Sequence, residues 1–251
     1  MERSWTDSYY DSVEHYFWTS ERLGHKPDPD RKLKRPAEVF ARLKRLEEPL
    51  NHLLGLFFAL APPRFVVRLF EQHASISIDE LPTYLGGDVQ ALCQSDSATQ
   101  PDFAFDCPNC FLTIEAKVDS KSSIEQVAKY ALLHQRADAQ RPRRALGLLY
   151  LSRSAPHDLF AGSWKSWDDV KACVANQLPL IEKSAFRTMT EEARRSVLNT
   201  LERMTISSFT YKDLRAAAVS ASAELGDGEA ESVLKRLYQG LCSELTRRSL
   251  A

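Results

Sequence analysis

The chain has no apolar run long enough to cross a bilayer: Leu53 to Ala61, the closest candidate, falls far short of the roughly 20 residues a spanning helix needs. Its opening, Met-Glu-Arg-Ser-Trp, lacks the basic-then-apolar layout of a secretory signal. Glycine is scarce, nine in 251 residues, and Gly86-Gly87 lacks the lysine-serine sequel of a phosphate-binding loop, which sets aside a nucleotide-hydrolysing motor. Five cysteines, an odd number, argue against a disulfide framework and for a reducing, cytoplasmic setting. Cys107-Pro108-Asn109-Cys110 is half of a zinc site, with Cys93 the best further ligand. No second Cys-x-x-Cys or spaced histidine pair completes it, and the Pro-Asn centre reads as a turn. Serine and cysteine nucleophile signatures are missing as well. The net charge of −1 neither requires nor excludes a nucleic-acid partner.

What is there is ordinary for a folded chain: 43% hydrophobic and 27% charged residues, enough for one large domain or a core with a helical extension. Basic residues cluster at Arg31, Lys32, Lys34 and Arg35, at Arg42, Lys44 and Arg45, and at Arg141, Arg143 and Arg144. Such clusters are usually solvated faces, and they matter more if a phosphate-cleaving site lies close by. The pattern divides the chain into a helical lead and linker (1–35, with a helix over about 8–22), a core (36–155) and a helical C-terminal region (156–251).

Within the core, helical spacing starts at Pro36 with Val39, Leu43 and Leu46. It restarts at Pro49 for a buried helix over Leu50–Leu60, and again after Pro62-Pro63 with Val66, Leu69 and Phe70. Strands are expected at Ile76–Asp79, at Asp88–Leu92 as its partner, at Asp102–Asp106, at Leu112–Val118 and at Ala145–Leu151. A helix begins near Ser122, with Ser122 and Glu125 as a capping box. After Leu151 the pattern is mostly helical to the end, in three or four segments. Trp167-Asp168-Asp169-Val170 and Tyr211-Lys212-Asp213-Leu214 start alike, which an internal repeat would explain but two helix starts with acidic first turns explain more simply.

A hairpin symmetric about Pro108-Asn109 sets Cys107 against Cys110, Asp106 against Phe111, and Asp102 against Glu115. Opposed residues project from one face with β-carbons about 5 Å apart, and like charges there repel. A divalent cation between the two carboxylates resolves that conflict, and Lys117, two residues along the same face, adds positive charge. Two anionic oxygen ligands for a hard cation, with an amine beside the attacking water, are what metal-assisted phosphodiester cleavage needs. In the following helix Ile124, Val127, Ala128, Ala131 and Leu132 form the buried stripe. Gln126 and Tyr130, four apart, share the neighbouring one.

The segment Pro101-Asp102 … Ile114-Glu115-Ala116-Lys117 … Gln126-Val127-Ala128-Lys129-Tyr130 resembles the PD-(D/E)xK nuclease superfamily, and more narrowly its RecB-like branch with a Q-x-x-x-Y helix. The resemblance covers about residues 45–151 and implies an α/β fold: a restriction-endonuclease-like core, a mixed central sheet flanked by helices, here with a helical C-terminal extension. It implies Mg²⁺ (or Mn²⁺) held by Asp102 and Glu115, with Lys117 orienting or activating water and Gln126 and Tyr130 supporting the site or touching substrate. Glu48, ahead of Pro49-Leu50-Asn51-His52-Leu53-Leu54, resembles the superfamily's helix-start glutamate and would be a further metal or water contact. Glu47 is the alternative, and a helix-start carboxylate also serves the helix dipole. The implied activity is metal-dependent hydrolysis of DNA, in defence against foreign DNA or in DNA processing. The competing expectation is a catalytically silent module for nucleic-acid binding or complex assembly. The implied partner is DNA and not a membrane, and the C-terminal helices are where a homodimer or larger nuclease complex would form.

Overall fold

The turn at Pro108-Asn109 organises the sheet. In the computed structural model, which describes residues 4–18, 47–89, 92, 100–153, 159–160 and 166–251, it joins Phe103–Cys107 to Cys110–Lys117. The two strands pair in the expected register, from Cys107 opposite Cys110 to Phe103 opposite Ile114, with no bulge. With a short Thr83–Tyr84 (β1) these are β2 and β3, followed by β4 (Ala145–Ser152) and β5 (Thr205–Thr210). The five strands lie in the order β1-β2-β3-β4-β5, antiparallel from β1 to β3 and parallel from β3 to β5. The described chain is thus α/β, with a mixed sheet flanked by helices and further helices toward its C-terminus.

Parallel neighbours require crossovers. The helix Ile124–Gln140 connects β3 to β4, and Trp167–Gln177, Ser184–Arg187 and Glu191–Arg203 lie between β4 and β5. In chain order the helices are α1 (Trp5–Trp18), α2 (Glu47–Leu60), α3 (Pro63–Ala74), α4 (Ile124–Gln140), α5 (Trp167–Gln177), α6 (Ser184–Arg187), α7 (Glu191–Arg203), α8 (Tyr211–Ala223) and α9 (Glu229–Arg247). Pro49 sits in the first turn of α2, where a backbone N–H has no intrahelical partner to lose. No single helix among the described residues is long and apolar enough to cross a membrane.

Several expectations are corrected. Ile76–Asp79 forms no strand; of its expected partner Asp88–Leu92, Asp88 and Val89 belong to the short 3₁₀ turn Gly86–Val89, and residues 90 and 91 lie outside the described residues. The strand beside β2 is the unforeseen Thr83–Tyr84. Among the described residues the region after Leu151 is mostly helical, as expected, with one strand not foreseen: Thr-Ile-Ser-Ser-Phe-Thr forms β5, in keeping with its β-branched and aromatic content. The first helix runs over Trp5–Trp18. The expected helix start at Pro36 and the basic clusters at 31–35 and 42–45 lie outside the described residues. Cys107 and Cys110, expected as thiols, form a disulfide; the register places their Cα atoms 5.0 Å apart, within bridging range. The two similar segments are both helix starts closed by a capping box, Ser166 with Asp169 and Thr210 with Asp213.

The chain forms two compact units, residues 62–214 and residues 1–61 with 215–251. In the helical unit, α1 lies on α9. The Trp5 indole covers Gly240 and donates to the Leu237 carbonyl at 3.1 Å, and Arg247 pairs with Asp7 at 2.8 Å. Tyr10 donates to the fully buried Glu244, which also takes Arg248 Nε at 2.6 Å. In the sheet unit, Gly147 of β4 lets Phe70, Ile76 and Leu112 close over the sheet: a β-carbon there would lie 2.7 Å from Ile76 and 2.9 Å from the Phe70 ring. Gly147→Val is expected to lower stability by about 1–3 kcal/mol in urea unfolding, through overpacking of that face. An unchanged midpoint would contradict the close packing.

Candidate active site

Alternation along β3 sends Leu112, Ile114 and Ala116 to the face covered by Phe70 and Ile76, and Phe111, Thr113 and Glu115 to the other. α4 lies over that second face, and Gln126, Tyr130 and His134 recur on it every four residues, in one stripe. Gln126 Nε2 donates to Glu115 Oε1, the Tyr130 hydroxyl donates to Oε2, and Lys117 Nζ lies 2.6 Å from Oε1. Glu115 is only 4% exposed, so its carboxylate has exchanged water for three protein donors. Such an exchange is needed, since an unpaired charge at that depth costs several kcal/mol.

Tyr130 was expected beside the buried face and instead lies wholly within it. Burial, reinforced by the negative charges of Glu115 and Asp102, pushes its phenol well above the usual range, so it stays a donor. Asp102 stands one residue before β2. The strand was expected to include it, yet pairing ends at Phe103–Ile114, and Asp102 Oδ2 accepts the Ala116 N–H at 2.8 Å, where the next strand residue would have bonded. Its charge is felt at both Tyr84 and Tyr130. Glu48 belongs to α2 in the helical unit, and its side chain lies outside the described residues.

Mg²⁺ commonly takes one or two carboxylates and completes its shell with water and substrate phosphate. Asp102 and Glu115 fit that demand by type and by their shared neighbour Tyr130. No group of three or more His, Cys, Asp or Glu side chains suited to a metal occurs among the described residues.

Three supporting residues, Thr113, His134 and Tyr150, were not foreseen, and Ser122 takes a role other than the expected one. Ser122, expected as the N-cap of α4, yields that place to Ser123, whose side chain accepts the Gln126 N–H at 3.1 Å. The Ser122 hydroxyl instead lies 3.1 Å from both Gln126 Oε1 and the Tyr150 hydroxyl. His134 Nε2 is 3.0 Å from Thr113 Oγ1, which reaches the Gly147 carbonyl at 3.3 Å. Ser122, Gln126, Tyr130 and His134 are each four apart, a polar recurrence that could have been read from the sequence.

The basic cluster at 141–144 is largely structural. Arg143 is buried, binds Asp106 at 2.9 and 3.0 Å, and lies over the Phe111 ring. Arg141 pairs with Asp106 at 3.2 Å. Two of the three cations therefore hold the hairpin tip.

No family model, curated protein or solved structure matches the chain.

His134 gives the site face a pH signature. Burial, with Arg143 nearby, lowers its pKa from 6.5 to about 3, and its Nδ1 has no hydrogen-bond partner, as suits a neutral ring protonated at Nε2. Below pH 6.5 the unfolded chain takes up a proton that the folded chain refuses, so this stability is present above pH 6.5 and is lost as pH falls toward 3. Urea unfolding between pH 6 and 4 should show a loss from this residue approaching about 1.4 kcal/mol per pH unit. His134→Gln should remove that component of the slope, and an unchanged slope would contradict the assignment.

Proposed function

We propose that the chain is a Mg²⁺-dependent nuclease of the PD-(D/E)xK kind that hydrolyses DNA phosphodiester bonds, in defence against foreign DNA or in DNA processing. The observation that carries this reading is the convergence of Lys117, Gln126 and Tyr130 on the buried Glu115, with the charge of Asp102 close by. These residues lie near the carboxyl end of β3, where the sheet changes from antiparallel to parallel pairing. In open α/β sheets, ligands favour the crevice outside the carboxyl ends of the strands.

On this reading Asp102 and Glu115 hold Mg²⁺, which when bound polarises the phosphate and makes water a better nucleophile. Gln126 and Tyr130 fix both Glu115 oxygens, so the carboxylate presents one orientation. Lys117, the one charged donor of the three, places its ammonium beside the carboxylate, where the attacking water and a phosphate oxygen would gather.

Purified protein given Mg²⁺ or Mn²⁺ should cleave DNA, and Glu115→Ala or Lys117→Ala should reduce cleavage by roughly 100-fold or more. Cleavage that survives both substitutions would exclude this site. A second reading is a catalytically silent nuclease-fold module for nucleic-acid binding or complex assembly. It is favoured by the same three donors, because they satisfy Glu115 as a purely structural network would. Titration with Mn²⁺ separates the two: binding that depends on Asp102 and Glu115 supports the nuclease, whereas DNA binding without any metal binding supports the module.

A further inference from the structure

The Glu115 carboxylate is nearly full, which bears on how the site takes a cation. An ionised carboxylate offers about four lone-pair positions on its two oxygens. Among the described residues, Oε1 receives Gln126 Nε2 and the Lys117 ammonium, and Oε2 receives the Tyr130 hydroxyl. Any further partner must use the remaining position on Oε2 or displace one of these three.

The three donors differ in charge and in what holds them. Gln126 and Tyr130 reach Glu115 from α4 and are neutral, and Tyr130 is fully buried. Lys117 ends β3, and its side chain is 12% exposed against 5% for that of Glu115, so the ammonium sits at the rim of the buried pair. A flexible four-carbon stem carries it, with rotatable donors that keep no fixed fork. Lys117 is the donor that can leave.

Charge makes it the donor that has to. A divalent cation on the same carboxylate would be repelled by the ammonium, and the buried setting leaves little water to screen the repulsion. Asp102, whose Oδ2 accepts the Ala116 N–H at 2.8 Å, brings a second negative charge to bear on Tyr130 alongside that of Glu115. With the ammonium in place, one of those two charges is already cancelled. With it withdrawn, the two carboxylates match a divalent cation charge for charge.

We propose that Lys117 is an internal competitor for the cation: it neutralises Glu115, and it withdraws its ammonium when a divalent cation binds there. This rests on the reading of Asp102 and Glu115 as the cation's ligands. On the nuclease reading the withdrawn ammonium is at hand for a phosphate oxygen, so cation and substrate would each favour the other's binding.

Mn²⁺ titration of the full chain without DNA, followed by electron paramagnetic resonance, tests the competition. Lys117→Met removes the charge and keeps an apolar stem, and Lys117→Arg keeps the charge. Mn²⁺ should bind Lys117→Met roughly ten-fold or more tightly than wild type, and Lys117→Arg within about three-fold of wild type. The gain should vanish when Lys117→Met is combined with Glu115→Gln, because the contest is for that carboxylate. Affinity unchanged or weaker in Lys117→Met, or a gain that persists without the Glu115 charge, would overturn the proposal.

The wild-type chain decides if Lys117→Met fails to fold. In ¹³C-lysine-labelled protein, the Lys117 ε-methylene signal, identified by its loss in Lys117→Arg, should show two distinct protons that merge on saturation with Mg²⁺. Protons that Mg²⁺ leaves unchanged would equally overturn the competition. DNA cleavage is scored apart from this. Tighter Mn²⁺ binding by Lys117→Met, where wild type does not cleave, keeps the competition and removes the nuclease. Cleavage that needs Glu115, with no gain in affinity in Lys117→Met, does the reverse.

Discussion

A carboxylate moved from water into the interior of a sheet loses hydration that a protein must replace, group by group, or the residue does not remain charged there. Glu115 is in that position, and much of the sheet unit is arranged to meet its demand. Lys117 comes from the same strand, Gln126 and Tyr130 come from α4, and Asp102 secures the adjacent Ala116 N–H from the far side of the hairpin. Each of these side chains is in turn placed by something else: the register of the hairpin, the four-residue recurrence of α4, and the bridge that seats Ser122 beside Tyr150.

The same dependence explains where rigidity is invested. The hairpin tip is closed by the Cys107–Cys110 bond and by Arg141 and Arg143 on Asp106, which pins the register of the two strands whose far ends carry Asp102 and Glu115. Arg203 on Asp138, at 2.6 Å, ties α7 to the C-terminal turn of α4. Thr113 and His134, two residues back along β3 and one turn on along α4, repeat the strand-to-helix contact in neutral form. An anionic contact and a neutral one, side by side, lock α4 against β3 in a single register.

The parts of this arrangement that follow short-range rules were legible in the sequence. The register around Pro108-Asn109 follows from symmetry about a turn, and α4 from its apolar spacing. That Gln126 and Tyr130 share a stripe follows from 3.6 residues per turn. What was not legible depends on how much of the chain covers a given face. Tyr130 was expected at a boundary because the depth of the second face is set by α5 and α7, contributed from far along the sequence. β5 was overlooked because six residues between two helices carry little periodic signal, and its identity as a strand comes from pairing with β4. The strand expected at Ile76–Asp79 failed for the converse reason. Its alternation is genuine, yet Ile76 is spent on packing over Gly147 rather than on a ladder. Arg143 read as part of a solvated basic face because no local rule announces a partner, Asp106, that lies 37 residues earlier.

The central claim is that Asp102 and Glu115 share a divalent cation while Gln126 and Tyr130 hold Glu115 in place. Anomalous diffraction from crystals grown with Mn²⁺ tests it most directly. The account predicts a single strong peak within coordination distance of one oxygen from each carboxylate, lost in Glu115→Ala crystals. A Mn²⁺ ion bound elsewhere, in a protein that still cleaves DNA, would contradict it.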